Sequence, residues 1–218
     1  MKRAVYWALV VIMFAGVIIT PSTGCRGEEK VENEARIVMV FAPHLCCDEE
    51  FIRLKAHFEQ HNIEVIAAST TANVGVGERL GLKVLPNITI SQIEVESCDA
   101  IVVNSGTGCK EFLWNDTSLR EVIRDAFARN KVIAAGCIAP VVLARTGILQ
   151  DREATVLVRP GTIEELEKGG AIYRDEAVVV SGNIITGRDL EALDEFAEAI
   201  LEKLAPIIKA HHLRCLDE

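Results

Sequence analysis

The sequence predicts a doubly wound α/β domain, a mostly parallel sheet with helices on both faces. Two observations predict it. Several strand-length runs are apolar without polar alternation, as strands buried on both faces are. Between them lie stretches with apolar residues at helical spacing, so strand and helix take turns along the chain. Ile37 to Ala42 is the first such run, and Asp48 to His61 follows with Phe51, Leu54 and Phe58 along one helical stripe. Ile63 to Ala68, Ala100 to Val103 and Lys131 to Ala135 read as further buried strands, with helices expected over 118–129 and 140–146. After Gly147 the pattern shortens: strands are expected at 154–158, 171–173, 177–180 and 183–186, the last two joined by a turn at Ser181-Gly182. Asp189 to Leu204 closes the domain as an amphipathic helix capped by the aspartate. Ligands of such sheets bind beyond the carboxyl ends of the strands.

Composition narrows the function classes. Of 218 residues, 50% are hydrophobic and 25% charged, which supports one substantial core and excludes disorder, collagen and coiled coil. Lys and Arg number 23 against 32 Asp and Glu, a net charge of -9, so nucleic acid is not expected as a partner. The seven cysteines are an odd number in a chain long enough to fold without a disulfide framework, so some thiol is free, modified or reactive.

The chain divides into three parts: 1–25, 26–35 and 36–218. Lys2 and Arg3 precede an uncharged apolar run from Ala4 to Thr20, followed by Pro21-Ser22-Thr23-Gly24-Cys25. This reads as an export signal or an uncleaved membrane anchor. Gly24-Cys25 resembles a bacterial lipobox, in which Cys25 is lipidated; Ser22 stands where that pattern usually has Leu, Val or Ile. Residues 26–35 are polar and acidic, suited to a solvated tether, so the domain is expected on the outer side of a membrane.

The most informative turn is Ala135-Gly136-Cys137-Ile138-Ala139-Pro140. It follows a buried strand, opens a helix, and has small residues at two positions before the cysteine and two after. A nucleophile elbow needs this, because strand and helix approach closely around a strained central residue. Cys137 is the candidate nucleophile, and the helix N-terminus beside it is expected to favour its thiolate. The alternative is a packed cysteine at a tight turn.

Four blocks now resemble the ThiJ/PfpI family of the class I glutamine amidotransferase-like superfamily: Asp99 to Gly106, Lys131 to Pro140, Ala144 to Leu149 and Gly182 to Thr186. The resemblance spans nearly all of Arg36 to Leu204. It implies a flavodoxin-like fold, a homodimer, and Cys137 as the reactive cysteine. It also implies that Glu50 is the acidic partner of that cysteine, that Ser105 and Gly106 stand where paired glycines form an oxyanion pocket, and that Ile138 and Arg188 line the site. No cofactor is implied. Family members with hydrolase or glyoxalase and deglycase-like chemistry carry a histidine after the cysteine or on the strand beyond the next helix; here those places read as Ile138 and Val156. The five histidines, His44, His57, His61, His211 and His212, lie elsewhere, so a Cys-His protease is discounted.

Cys46, Cys47 and Cys109 fall in loops expected to open on the same sheet edge as Cys137. They are candidate resolving thiols for a peroxide-oxidised Cys137, and redox or stress-related thiol chemistry is the leading expectation. The alternative is an enzyme of small carbonyl compounds, with Cys137 as nucleophile and Glu50 as proton relay. Thiols with His44 would also suit Zn or Cu(I), but adjacent Cys46 and Cys47 diverge in an extended loop, and no metal site is assigned. Gly75-Val76-Gly77 reads as a hairpin turn, and Glu164, Glu165 and Glu167 as the solvated face of a short helix.

Overall fold

A computed structural model describes residues 35–215. The leader, Cys25 and nearly all of the acidic tether lie outside the described residues. Among the described residues no helix is long and apolar enough to cross a membrane.

The chain runs β1 (Ala35–Phe41), β2 (His44–Cys46), α1 (Asp48–Gln60), β3 (Ile63–Ser69), β4 (Gly75–Gly77), β5 (Lys83–Val84), β6 (Ile88–Thr89) and β7 (Ala100–Val103). It continues with α2 (Thr117–Ala128), β8 (Val132–Gly136), α3 (Pro140–Thr146), β9 (Glu153–Ala154) and α4 (Thr162–Lys168). The last elements are β10 (Ile172–Tyr173), β11 (Val178–Ser181), β12 (Ile184–Gly187) and α5 (Leu193–Cys215). Seven strands form the main sheet in the order β11-β12-β8-β7-β1-β3-β6. All its pairings are parallel except that of β11 with β12. This is the doubly wound architecture that the apolar runs predict. The central strands β1, β7 and β8 are buried almost throughout, and Leu54, Phe58, Leu119, Ile123, Phe196 and Ile200 of the helices pack against them.

Four expectations change. Gly75–Gly77 is strand β4, paired with β2 and β5, and the turn lies after it. A Cβ on Gly77 would sit 2.1 Å from Asp48 Cγ, so the glycine lets the strand pass over the start of α1. The buried Asp48 carboxylate then shapes the turn by accepting the N–H groups of Arg79, Leu80 and Leu82 at 3.0–3.2 Å. Burial works to raise its pKa, but these amides outweigh it and hold Asp48 below the usual range. Residues 154–158 do not form one long strand. Beyond β9, which pairs only with β10, Thr155 N–H donates to Thr186 Oγ1 at 2.9 Å and Leu157 N–H to the Cys137 carbonyl at 2.8 Å. These single bonds bend the segment over the sheet edge.

The closing helix starts at Leu193, after a turn in which Asp189 Oδ1 accepts the amides of Glu191 and Ala192. It runs through Pro206 to Cys215, beyond the expected end at Leu204. Pro206 is exposed, so water can reach the carbonyl that the missing N–H leaves over. A π-helical turn over Cys109–Leu113 also has no counterpart in the sequence reading.

Candidate active site

β8 delivers Cys137 directly into a turn with φ of +55°, the strained backbone of an elbow. Its N–H donates to the Gly187 carbonyl of β12 at 2.9 Å, and its carbonyl accepts from Leu157. The turn is thus fixed from both sides. Above it opens a cleft of about 810 Å³. The loops after β7, β8 and β12 line it with Ser105 to Thr107, Cys137 and Ile138, and Asp189 to Glu191, and Cys47 enters from the segment after β1. The cleft therefore lies at the carboxyl edge of the sheet.

Glu50, in the first turn of α1, is 2% exposed beneath this cleft. Its Oε1 accepts Asn104 Nδ2 at 2.8 Å and the Ser105 N–H at 3.0 Å. Burial outweighs both bonds and raises its pKa from 4.5 to about 7. A Cβ on Gly136 would lie 3.5 Å from both carboxylate oxygens, so the carboxyl packs on the residue before Cys137. The Cys137 thiol is pushed up to about 11, first by burial and then by the negative charge of Glu50. The Ser105 hydroxyl, the Ile138 N–H and the positive charge of Arg159 act in the opposite direction. The expected lowering by the helix is not found: α3 begins three residues beyond Cys137 and is only seven residues long. The Glu50 carboxyl therefore gives up its proton first, and its charge then holds the proton on the Cys137 thiol.

Other sequence-predicted residues are placed differently. The Ser105 N–H is engaged by Glu50, so it is not a free oxyanion donor; the Ser105 hydroxyl oxygen accepts the Ile138 N–H at 3.2 Å. Gly106 carries φ of +115°, and a Cβ there would come within 2.3 Å of the Leu45 carbonyl. Arg188 does not line the cleft: its guanidinium turns to Asp175 at 3.3 Å and Asp189 at 2.9 Å, and Asp189 takes its place. Val156 is fully buried in the core. The charged residue that its segment brings to the cleft, beside Leu157 and Pro160, is Arg159, which sequence reasoning missed. None of the cleft residues is a histidine.

Of the candidate resolving thiols only Cys47 reaches the cleft. Cys46 and Cys109 are fully buried in the core, because β2 and the π-turn direct them inward. Burial is the largest cause raising all three: Cys46 to about 11, Cys47 to about 12, and Cys109 well above the usual thiol value. Cys98 is buried, with its thiol against the Val95 carbonyl, and is structural. The ring of His44 lies near Phe112, outside the cleft. Among the described residues no group of three or more His, Cys, Asp or Glu is arranged to hold a metal ion.

Comparison with known proteins finds relatives over most of the chain. The chain is 40% identical over 198 residues to an uncharacterised protein of Methanocaldococcus jannaschii, covering 90% of this chain and 96% of that one. It is 28% identical over 156 residues to protein dj-1beta of Drosophila melanogaster, covering 72% and 82% of the two chains. The crystal structure of the Drosophila DJ-1beta superposes with a TM-score of 0.70 at 25% identity, over 81% of this chain and 96% of that chain. A ThiJ/PfpI domain protein from Brachyspira murdochii superposes with a TM-score of 0.74 at 27% identity, over 78% and 96%. The DJ-1/PfpI family model matches residues 35–203, a span that runs from β1 into α5. The chain belongs to the DJ-1/PfpI family.

Proposed function

We propose that the chain is a thiol-based enzyme of small reactive carbonyl compounds, a stress-related role, with Cys137 as nucleophile and Glu50 as proton carrier. One observation carries this reading: a fully buried carboxyl with a pKa of about 7 is charge-coupled to an elbow thiol at the floor of an open cleft. A carboxyl poised there exchanges protons near neutral pH, and a thiol with a raised pKa needs such a base as it reacts. The Glu50 carboxylate takes the Sγ proton while a sulfur lone pair attacks the carbonyl carbon. The C=O π pair moves onto oxygen, and Glu50 returns the proton to that oxygen. The product is a hemithioacetal, with no net change in oxidation state. The Gly106 N–H is the backbone group assigned to the developing oxyanion. With no imidazole in the cleft, peptide hydrolysis through a Cys-His pair has no support.

The test is consumption of methylglyoxal by wild type, Cys137→Ser and Glu50→Gln. Wild type should consume it, and either substitution should lower the rate about 100-fold or more. Equal consumption by wild type and Cys137→Ser would overturn the reading.

A second reading rests on Cys47, which lines the same cleft and is electrostatically coupled to Cys137. Peroxide would oxidise Cys137 to the sulfenic acid and release water; the Cys47 thiol would then form the disulfide and release a second water. Thiols pushed up to about 11 and 12 make this slow at neutral pH, so the carbonyl reading stands first. We further propose that the domain is tethered on the outer side of a membrane through the segment ending at Cys25 and that it pairs as a homodimer. The leader composition supports the tether, and the exposed Leu45, Val76, Leu80 and Leu82 around the small β2-β4-β5 sheet support pairing. Membrane fractionation of wild type and Cys25→Ala, and sedimentation of the purified domain, test these two points.

A further inference from the structure

Two cations stand in the cleft without a carboxylate partner among the described residues, Arg159 and Lys110. The cleft's third cation, Arg79, is taken by Glu49 at 2.7 Å. Its acids are engaged too: Glu78 accepts the Thr107 N–H and hydroxyl, and Asp189 binds Arg188 and two amides. Glu191 is the acid left at the rim.

Both cations are tied to the elbow. Leu157, two residues before Arg159, donates its N–H to the Cys137 carbonyl at 2.8 Å. The buried Thr162 closes that loop, accepting the Arg159 N–H at 3.0 Å and donating to the Leu157 carbonyl at 2.8 Å. Among the described residues the guanidinium donates one hydrogen bond, to the Val158 carbonyl at 3.5 Å, and its charge acts on the Cys137 thiol. Across the cleft, Lys110 Nζ lies 5.4 Å from the centre of the Trp114 ring, and Trp114 Nε1 donates to the Ile138 carbonyl at 3.3 Å. In a protein of net charge -9, two unpaired cations registered on the reactive thiol are an unusual use of charge.

We infer that the ligand of this cleft carries its own negative charge: a small carbonyl compound with a carboxylate or phosphate group, received by Arg159 and Lys110 while its carbonyl carbon faces Cys137. The anion class follows from the cleft alone; the reaction at the carbonyl rests on the function proposed above. The planar guanidinium offers paired donors to either oxyanion, and the ammonium adds a second charge.

Two measurements separate the claims. Cys137 is alkylated with iodoacetate and with iodoacetamide, and the modified peptide is quantified in wild type, Arg159→Gln and Lys110→Gln. The ratio of anionic to neutral reagent rates should fall about 3- to 30-fold on removal of Arg159, and by less on removal of Lys110. Consumption of glyoxylate against glyoxal, and of glyceraldehyde 3-phosphate against glyceraldehyde, then shows whether carboxylate or phosphate is preferred. Unchanged alkylation ratios in both variants would overturn the anion site. Altered ratios with no consumption of any carbonyl compound would uphold the anion site and overturn the carbonyl chemistry.

Discussion

Asn104 donates its side-chain amide to Glu50 Oε1 at 2.8 Å, in a place where neither residue meets solvent. That bond favours the ionised carboxylate against the cost of burial. In the other protonation state the same amide, turned over, can accept from the carboxylic acid. Replacement by Leu removes the donor, so Glu50 should titrate higher than about 7. In the proposed reaction, where Glu50 acts as its carboxylate, the rise of carbonyl consumption with pH should move upward by about one pH unit. A profile unmoved in Asn104→Leu would show that this bond does not set the proton affinity of Glu50.

Burial of Glu50 carries a stability cost whose sign is fixed. Its folded pKa, about 7, lies above its ordinary value of 4.5, so the folded state holds more protons between those pH values. Stability from this group is therefore full below pH 4.5 and is lost as pH rises through 7. Glu50→Gln, which keeps an acceptor for Asn104 and Ser105, should match wild type at pH 4 and exceed it at pH 8 by on the order of 3 kcal/mol. Denaturant unfolding at the two pH values measures the difference.

Gly106 should tolerate no side chain. Its φ of +115° strains any L-residue, and a Cβ would meet the Leu45 carbonyl at 2.3 Å and the Cys47 nitrogen at 2.5 Å. All of these are backbone atoms, which cannot swing aside. Gly106→Ala is expected to cost about 3 kcal/mol or more, read as a lowered thermal midpoint.

Mild peroxide should sort the thiols by burial. Cys137 is the partly exposed one among the described free cysteines, whereas Cys46, Cys98 and Cys109 are buried in the core. Peptide mapping of the folded protein should find oxidation at Cys137, with Cys47 joining only as its disulfide partner. Early modification of Cys109 would mean that the core opens more readily than this packing allows.

What was legible in the sequence was local. The apolar runs of β1, β7 and β8, and the small residues flanking Cys137, depend on neighbours within a few positions, so strand order apart, the frame of the elbow could be read directly. Glu50 came from the family resemblance alone, because Asp48, Glu49 and Glu50 share the first turn of α1 and nothing local shows which of them turns beneath Cys137. Arg159 was not legible, because its direction is set by hydrogen bonds from Leu157 to Cys137 and from Thr155 to Thr186, both long-range. The inward turn of Cys46 and Cys109 depends likewise on β2 pairing with β4 and on the π-turn. The raised thiol pKa was missed for a related reason: sequence shows the helix beyond Cys137 but not the depth of burial or the anion beneath it.

The most direct test of the Cys137 and Glu50 pair is the pH dependence of iodoacetamide alkylation at Cys137 in wild type and Glu50→Gln. The neighbouring carboxylate raises the thiol's pKa toward about 11, so its removal should lower the alkylation midpoint and speed the reaction at pH 8, even as carbonyl consumption is lost. Superimposable profiles in the two proteins would show that Glu50 and Cys137 do not act on one another.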